Sequence, residues 1–168
     1  MTTGITRKID ELGRIVIPKE IRKNLGIRDG EALEIITSED KVILKKYNEV
    51  KKYEDICDKL CDIVSNVYNV KVIITDREKV ISSSIDNYKN ILIDNELIEL
   101  IDERKMLISD KLITKKFMNE ELIGFYTVVP IVVSSDSLGL VIIVDEKKVD
   151  EKLAKLVAKI VVDKVDIF

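Results

Sequence analysis

Residues 3–27, TGITRKIDELGRIVIPKEIRKNLGI, decide the fold of the chain's opening section. Within them, residues 5–9 and 14–17 are short β-branched runs. Between the two lie Asp10, Glu11, Leu12 and Gly13, acidic and glycine residues that suit a turn. A strand, a loop and a strand are expected. Pro18 stands where a helix favours its first residue, Ile21 and Leu25 recur at i, i+4, and Gly26 supplies the C-terminal stop, so residues 18–25 read as a short helix. Past Asp29 and Gly30, residues 32–37 and 41–46 read as a second hairpin joined at Ser38, Glu39 and Asp40. The pattern is ββαββ.

A unit of that size is in difficulty alone, because a chain below roughly 60 residues buries too little surface to offset the entropy of ordering unless a disulfide, a metal or a partner helps. The two cysteines of the chain, Cys57 and Cys61, lie outside it, and the chain has no histidine. Interleaving two copies as a homodimer would complete the core. The same step would double a cluster of charge. Residues 5–28 carry Arg7, Lys8, Arg14, Lys19, Arg22, Lys23 and Arg28 against Asp10, Glu11 and Glu20, a local +4 in a chain whose net charge is −3. Positive charge focused on one side of a two-fold assembly is the footprint of a double-stranded DNA binder.

Residues 3–27 closely resemble the N-terminal swapped-hairpin domain of AbrB-type transition-state regulators. The match continues through residues 32–35 and 42–47. That resemblance implies an intertwined homodimeric β-barrel that binds DNA through basic side chains. These fall here on Arg7 with its neighbour Lys8, Arg14, Arg22 and Lys23. Lys23 departs from the family, which usually shows arginine there; lysine keeps the phosphate attraction but loses the planar fork for guanine, so softer sequence discrimination is expected. A lysine or arginine on a strand or short helix is ordinarily just solvated, and for Lys19 and Arg28 that reading is as good as DNA contact. Arg14 stands among Leu12, Ile15, Val16 and Ile17, and Arg22 and Lys23 flank an apolar helix face, which favours phosphate or base contact. Strict alternation from Ile5 puts Arg7 on the side of Ile5 and Ile9, so either the strand twists sharply there or the arginine extends past a rim.

The remainder has its own periodicity. Residues 48–52 form a short polar bridge. Tyr53, Ile56, Cys57, Leu60, Cys61, Val64 and Val67 then follow the 3/4 spacing of a helix. A hairpin is expected over 70–75 and 79–84, turning at Asp76, Arg77 and Glu78. A helix should follow from a polar opening at Asp86 and Asn87 through Ile101. Residues 125–133 and 138–144 read as long apolar strands around residues 134–137, and residues 153–165 as a closing helix. The order α, β, β, α, β, β, α, with a central antiparallel sheet, resembles a small GAF sensory domain in architecture and hydropathy. The expected class is thus α+β: an AbrB-like dimeric swapped-hairpin barrel over 1–50 and a GAF-like antiparallel sheet flanked by helices over 51–168. Together the two resemble sporulation regulators of endospore-forming bacteria. The GAF resemblance implies oligomerisation through helices, suiting a tetramer, and optional regulation by a small-molecule effector. Polar handles near aromatic bodies make Tyr88, Phe117, Phe125 and Thr127 the pocket candidates, although apolar strand residues are core far more often than ligand lining.

Other classes of function fit poorly. Absent histidine removes the commonest general base and metal ligand, and no glycine-rich phosphate loop stands in the sequence, so neither an enzyme, a cofactor nor a metal site is expected. Cys57 and Cys61 read as small core residues. No secretory segment or membrane span is legible, which points to a cytoplasmic protein. Two rivals are an antitoxin, whose tail would be short and polar rather than periodic and apolar, and a ligand-sensing enzyme or nucleotide module.

Overall fold

A computed structural model describes residues 4–30, 32–47, 49–117, 120–148 and 150–165. The chain forms two compact units, Met1–Tyr47 and Asn48–Phe168.

In the first unit the short helix is α1 (Lys19–Asn24), and β1 (Leu33–Ser38) pairs antiparallel with β2 (Lys41–Lys46). Ser38 faces Lys41 in register, so Glu39 and Asp40 alone make the turn, with Glu39 in left-handed backbone. Pro18 is the N-cap rather than the first helical residue, and its carbonyl accepts from the Arg22 amide at 3.0 Å. The helix stops as expected at Gly26. There the amides of Gly26 and Ile27 return to the carbonyls of Lys23 and Arg22, a closure that needs the left-handed conformation of glycine.

The strands expected over 5–9 and 14–17 are not found. Neither segment forms ladder bonds, and apart from the partly buried Ile17 their apolar side chains stay exposed, Ile9 at 68% and Val16 at 75%. Without a buried face there is nothing to hold a register. Across the described residues of this unit Pro18 alone is buried.

The second unit is a three-layer sandwich. Its elements are α2 (Glu49–Lys52), α3 (Glu54–Tyr68), β3 (Lys71–Thr75), β4 (Val80–Ser83), α4 (Asn95–Glu103), β5 (Leu107–Ile108), β6 (Ile113–Phe117), β7 (Glu120–Val133), β8 (Asp136–Asp145) and α5 (Glu151–Val165). The sheet runs β4-β3-β8-β7-β5, with β6 also pairing β7, and every pairing is antiparallel. Period-two alternation sends Ile74, Val129, Ile131, Val141 and Ile143 to one face, where they pack with Cys57, Cys61 and Val64 of α3 and Val157 and Val161 of α5. Ile73, Tyr126, Val128, Leu140 and Ile142 go to the other, against Leu97 and Ile101 of α4. A β-sheet buried on both faces explains the near-continuous apolar runs of β7 and β8.

Several expectations for this unit change. The helix expected from residues 86–87 begins only at Asn95, where the Asp94 side chain caps it by accepting from the Leu97 amide at 2.9 Å. Residues 86–93 instead fold back on β4: Asn87 and Asn90 take left-handed backbone, and the Val80 amide bonds the Ile91 carbonyl at 2.8 Å. Strands β5 and β6 were not expected; β6 pairs the start of β7 over residues 120–124 and β5 its middle at Thr127 and Val128. The polar bridge over 48–52 contains the short helix α2; Asn48 lies outside the described residues.

Candidate nucleic-acid interface

The basic residues of the first unit are arranged by two aspartates. Asp10 builds the turn before Arg14. Its Oδ1 accepts from the amides of Leu12 (3.0 Å) and Arg14 (2.8 Å), its own amide bonds the Arg14 carbonyl at 3.0 Å, and its carbonyl accepts from Gly13 at 3.0 Å. The other carboxylate oxygen, Oδ2, accepts from Arg14 Nε at 2.8 Å. These bonds, first from the Arg14 amide and then from its side chain, hold the Asp10 carboxyl below its ordinary value. Gly13, in left-handed backbone, lets the chain close the turn. The Arg14 side chain is 71% exposed.

Arg22 and Lys23 sit side by side in the last turn of α1, where cations meet the negative end of the helix. Arg22 is half-buried: Nη1 bonds Asp29 Oδ1 at 2.7 Å, and Nε is buried without a hydrogen-bond partner among the described residues. Lys23 is exposed, as are Arg7 and Lys8 in the segment ahead of the turn. Asp10 and Asp29, as partners of arginine, escaped sequence reading. The signal for Asp10 was an Asx-turn residue three places before a glycine, which reads as a turn and says nothing of Arg14.

In the second unit the pocket candidates are not brought together. Tyr88 is buried in the cluster beneath α4. Thr127 is buried too, but Phe125 and Thr127 share strand parity with Val129, on the α3/α5 side of the sheet. The Phe117 side chain lies outside what is described. Beneath α4 stand two polar groups that the sequence did not reveal. Lys115 is 6% exposed and pairs with Glu96 at 2.6 Å and Asp94 at 3.7 Å. Tyr126 is fully buried, its hydroxyl donates to the Leu122 carbonyl at 2.6 Å, and burial pushes its ionisation upward. On the other face Asp58 of α3 accepts from Ser82 Oγ at 2.5 Å and from Lys89 Nζ at 2.7 Å. Among the described residues no group of three His, Cys, Asp or Glu could hold a metal ion, and no helix is long and apolar enough to cross a membrane.

Comparison with known proteins divides the chain in a similar way. Residues 52–164 match the family model described as stage V sporulation protein T C-terminal, transcription factor, and residues 6–52 match that of the antidote-toxin recognition MazE, a bacterial antitoxin. Stage V sporulation protein T of Bacillus subtilis is 39% identical over 147 residues, covering 84% of this chain and 83% of that protein. The transition state regulatory protein AbrB of B. subtilis is 61% identical over 46 residues, which span 27% of this chain and 48% of AbrB. The solution structure of AbrB's N-terminal DNA recognition domain covers 28% of this chain and 89% of its own, with a TM-score of 0.26. The cofactor-binding GAF domain of the nutrient sensor CodY from Clostridium difficile covers 66% of this chain and 81% of its own at 14% identity, with a TM-score of 0.43. The family match over most of the chain, together with near-full-length identity to a curated relative, shows that the chain belongs to the stage V sporulation protein T family of transcription factors.

Proposed function

We propose that the chain is a non-enzymatic, cytoplasmic DNA-binding regulator of sporulation genes. In this reading residues 1–50 form the DNA-binding and dimerisation domain and residues 51–168 a GAF-like oligomerisation and sensory domain. The observation that carries the reading is the double exposure of the first unit: its apolar side chains and most of its cationic ones are open together. Exposed Ile5, Ile9, Ile15, Val16, Ile35 and Val42 need a surface to cover them, and a second copy of the same swapped hairpin supplies one. Pairing then sets two copies of Arg7, Lys8, Arg14, Arg22 and Lys23 toward phosphates and groove edges.

Helices α3 and α5 favour a further association of dimers into tetramers. Each buries one stripe against the sheet and leaves apolar residues outside it: Ile63 (60% exposed), Val67 (69%) and Tyr68 on α3, and Leu156 on α5. A small-molecule effector, where one acts, would bind this domain.

Salt dependence of binding to promoter DNA tests the main reading. Neutralising roughly six to eight phosphates lowers affinity on the order of 10³- to 10⁵-fold between about 50 and 200 mM salt; a flat titration would count against it. Native mass measurement with Ile63→Asp tests the assembly, the expected result being dimers in place of tetramers. The match of residues 6–52 to the MazE model favours a second reading, an antitoxin. Co-purification of a small toxin in fixed stoichiometry would support it, although the folded unit over 48–168 stands where an antitoxin would carry a disordered tail.

A further inference from the structure

We infer that Asp10 is a positioning residue for DNA recognition by Arg14, fixing the guanidinium so that its two terminal nitrogens are presented as a free pair. The inference rests on the DNA-binding reading above and assigns a role within it.

A carboxylate amid the cationic cluster is electrostatically adverse for a phosphate-binding surface, since it repels the polyanion that the neighbouring cations attract. Asp10 nevertheless uses both oxygens there. Oδ1 gathers the amides of Leu12 and Arg14 and thereby fixes the backbone of the turn, while Oδ2 takes Arg14 Nε at 2.8 Å. Backbone and side chain of Arg14 are thus held by one carboxylate.

The choice of nitrogen matters. A guanidinium recognises guanine or phosphate through a planar pair of N–H groups. With Nε engaged by Asp10, the pair left open on Arg14 is the end-on pair Nη1 and Nη2, for which no partner stands among the described residues. Arg22 contrasts with it. There Asp29 occupies Nη1 and Nε is buried, so no pair remains open. Arg14 is accordingly the arginine equipped for bidentate base reading, and Arg22 the one suited to a single phosphate contact. Fixing a four-torsion side chain beforehand also removes rotamer freedom that binding would otherwise have to freeze.

Removing a negative charge should by itself tighten DNA binding, and this makes the sign of the experiment decisive. Asp10→Asn keeps the Oδ1 acceptor for the turn but replaces the acceptor of Arg14 Nε with an amide donor. The full-length wild-type chain is first used to select a duplex from a random pool. Affinities of wild type, Asp10→Asn, Arg14→Ala and the double variant are then measured for that duplex and for unselected duplex of equal length. The expected result is a fall of about tenfold in the selected-to-unselected ratio for Asp10→Asn, a similar fall for Arg14→Ala, and no further fall when Asp10→Asn is added to Arg14→Ala. An unchanged or raised ratio in Asp10→Asn would overturn the inference while leaving the DNA-binding reading intact. An equal further loss in the Arg14→Ala background would reduce Asp10 to a turn former, and failure of the wild type to select any duplex would remove the DNA-binding reading and this inference together.

Discussion

Gly139 of β8 lies so close to the carbonyl of Thr75 on β3 that a β-carbon at position 139 would overlap the Thr75 oxygen and stand 2.8 Å from its carbonyl carbon. The contact is backbone against backbone at the end of the β3–β8 ladder, where Thr75 Oγ1 also accepts from the Leu140 amide at 3.1 Å. Neither partner can swing aside as a flexible side chain would. Gly139→Ala should therefore destabilise the second unit by about 3 kcal/mol or more, at the upper end of overpacking costs. A urea titration followed by far-ultraviolet circular dichroism reads the loss. A change under 1 kcal/mol would mean that the β3–β8 pair can separate locally at little cost.

Asp58 ties α3 to β4 and to the segment after it, accepting from Ser82 Oγ and, together with Glu54, from Lys89 Nζ. Burial opposes its charge, but the Lys89 and Ser82 hydrogen bonds prevail and hold the carboxyl below its ordinary 3.8. A carboxylate depressed on folding contributes stability above its unfolded value and loses that contribution as pH falls through the folded one. Wild type should melt above Asp58→Asn at pH 6, and the gap should close on acidification below about pH 4. Equal melting temperatures at pH 6 would show that the bonds to Ser82 and Lys89 give no net stability.

How much of this was legible follows one physical rule. Patterns that report burial within a single chain could be read: the stripe of Cys57, Cys61 and Val64, the long apolar runs of β7 and β8, and Gly26 closing α1. Elements whose stability comes from elsewhere could not. The β-branched residues 5–9 and 14–17 have strand propensity, yet with their apolar faces exposed they form no ladder. Residues 86–93 carry helix-like spacing, but Asn87 and Asn90 turn left-handed and the segment bonds β4 instead. Of the candidate site, the cations were visible as a local charge excess. The partners of Arg14 and Arg22 were not, because an aspartate in a turn looks the same in sequence whether or not its second oxygen is engaged.

Cys57 and Cys61 were read as core residues, and both are fully buried on α3. Burial pushes each thiol from 9.0 up to about 12. Neither should react with an aromatic disulfide reagent at pH 8 in the folded protein, and both should react in denaturant. Because these values are raised on folding, the thiols' contribution is intact below about pH 9 and is lost as pH rises toward 12, so alkaline unfolding should shift upward in the Cys57→Ala, Cys61→Ala double variant relative to its own neutral-pH stability. Rapid labelling of either thiol under native conditions would contradict the burial.

Lys23 offers a gain-of-function test of base reading. It is exposed in the last turn of α1 beside Arg22, and its carbonyl already closes the helix through the Gly26 amide, so changing the side chain leaves that closure in place. Lysine offers a point charge; arginine would keep the charge and add a planar pair of donors. If this position faces base edges, Lys23→Arg should raise the selected-to-unselected DNA affinity ratio by about tenfold, with little change in the salt slope, which counts phosphates neutralised. Lys23→Ala should lower that slope by about one per protomer, weakening both duplexes alike. A ratio that stays level in Lys23→Arg while the slope falls in Lys23→Ala would assign the position to phosphate alone, leaving Arg14 to carry the discrimination.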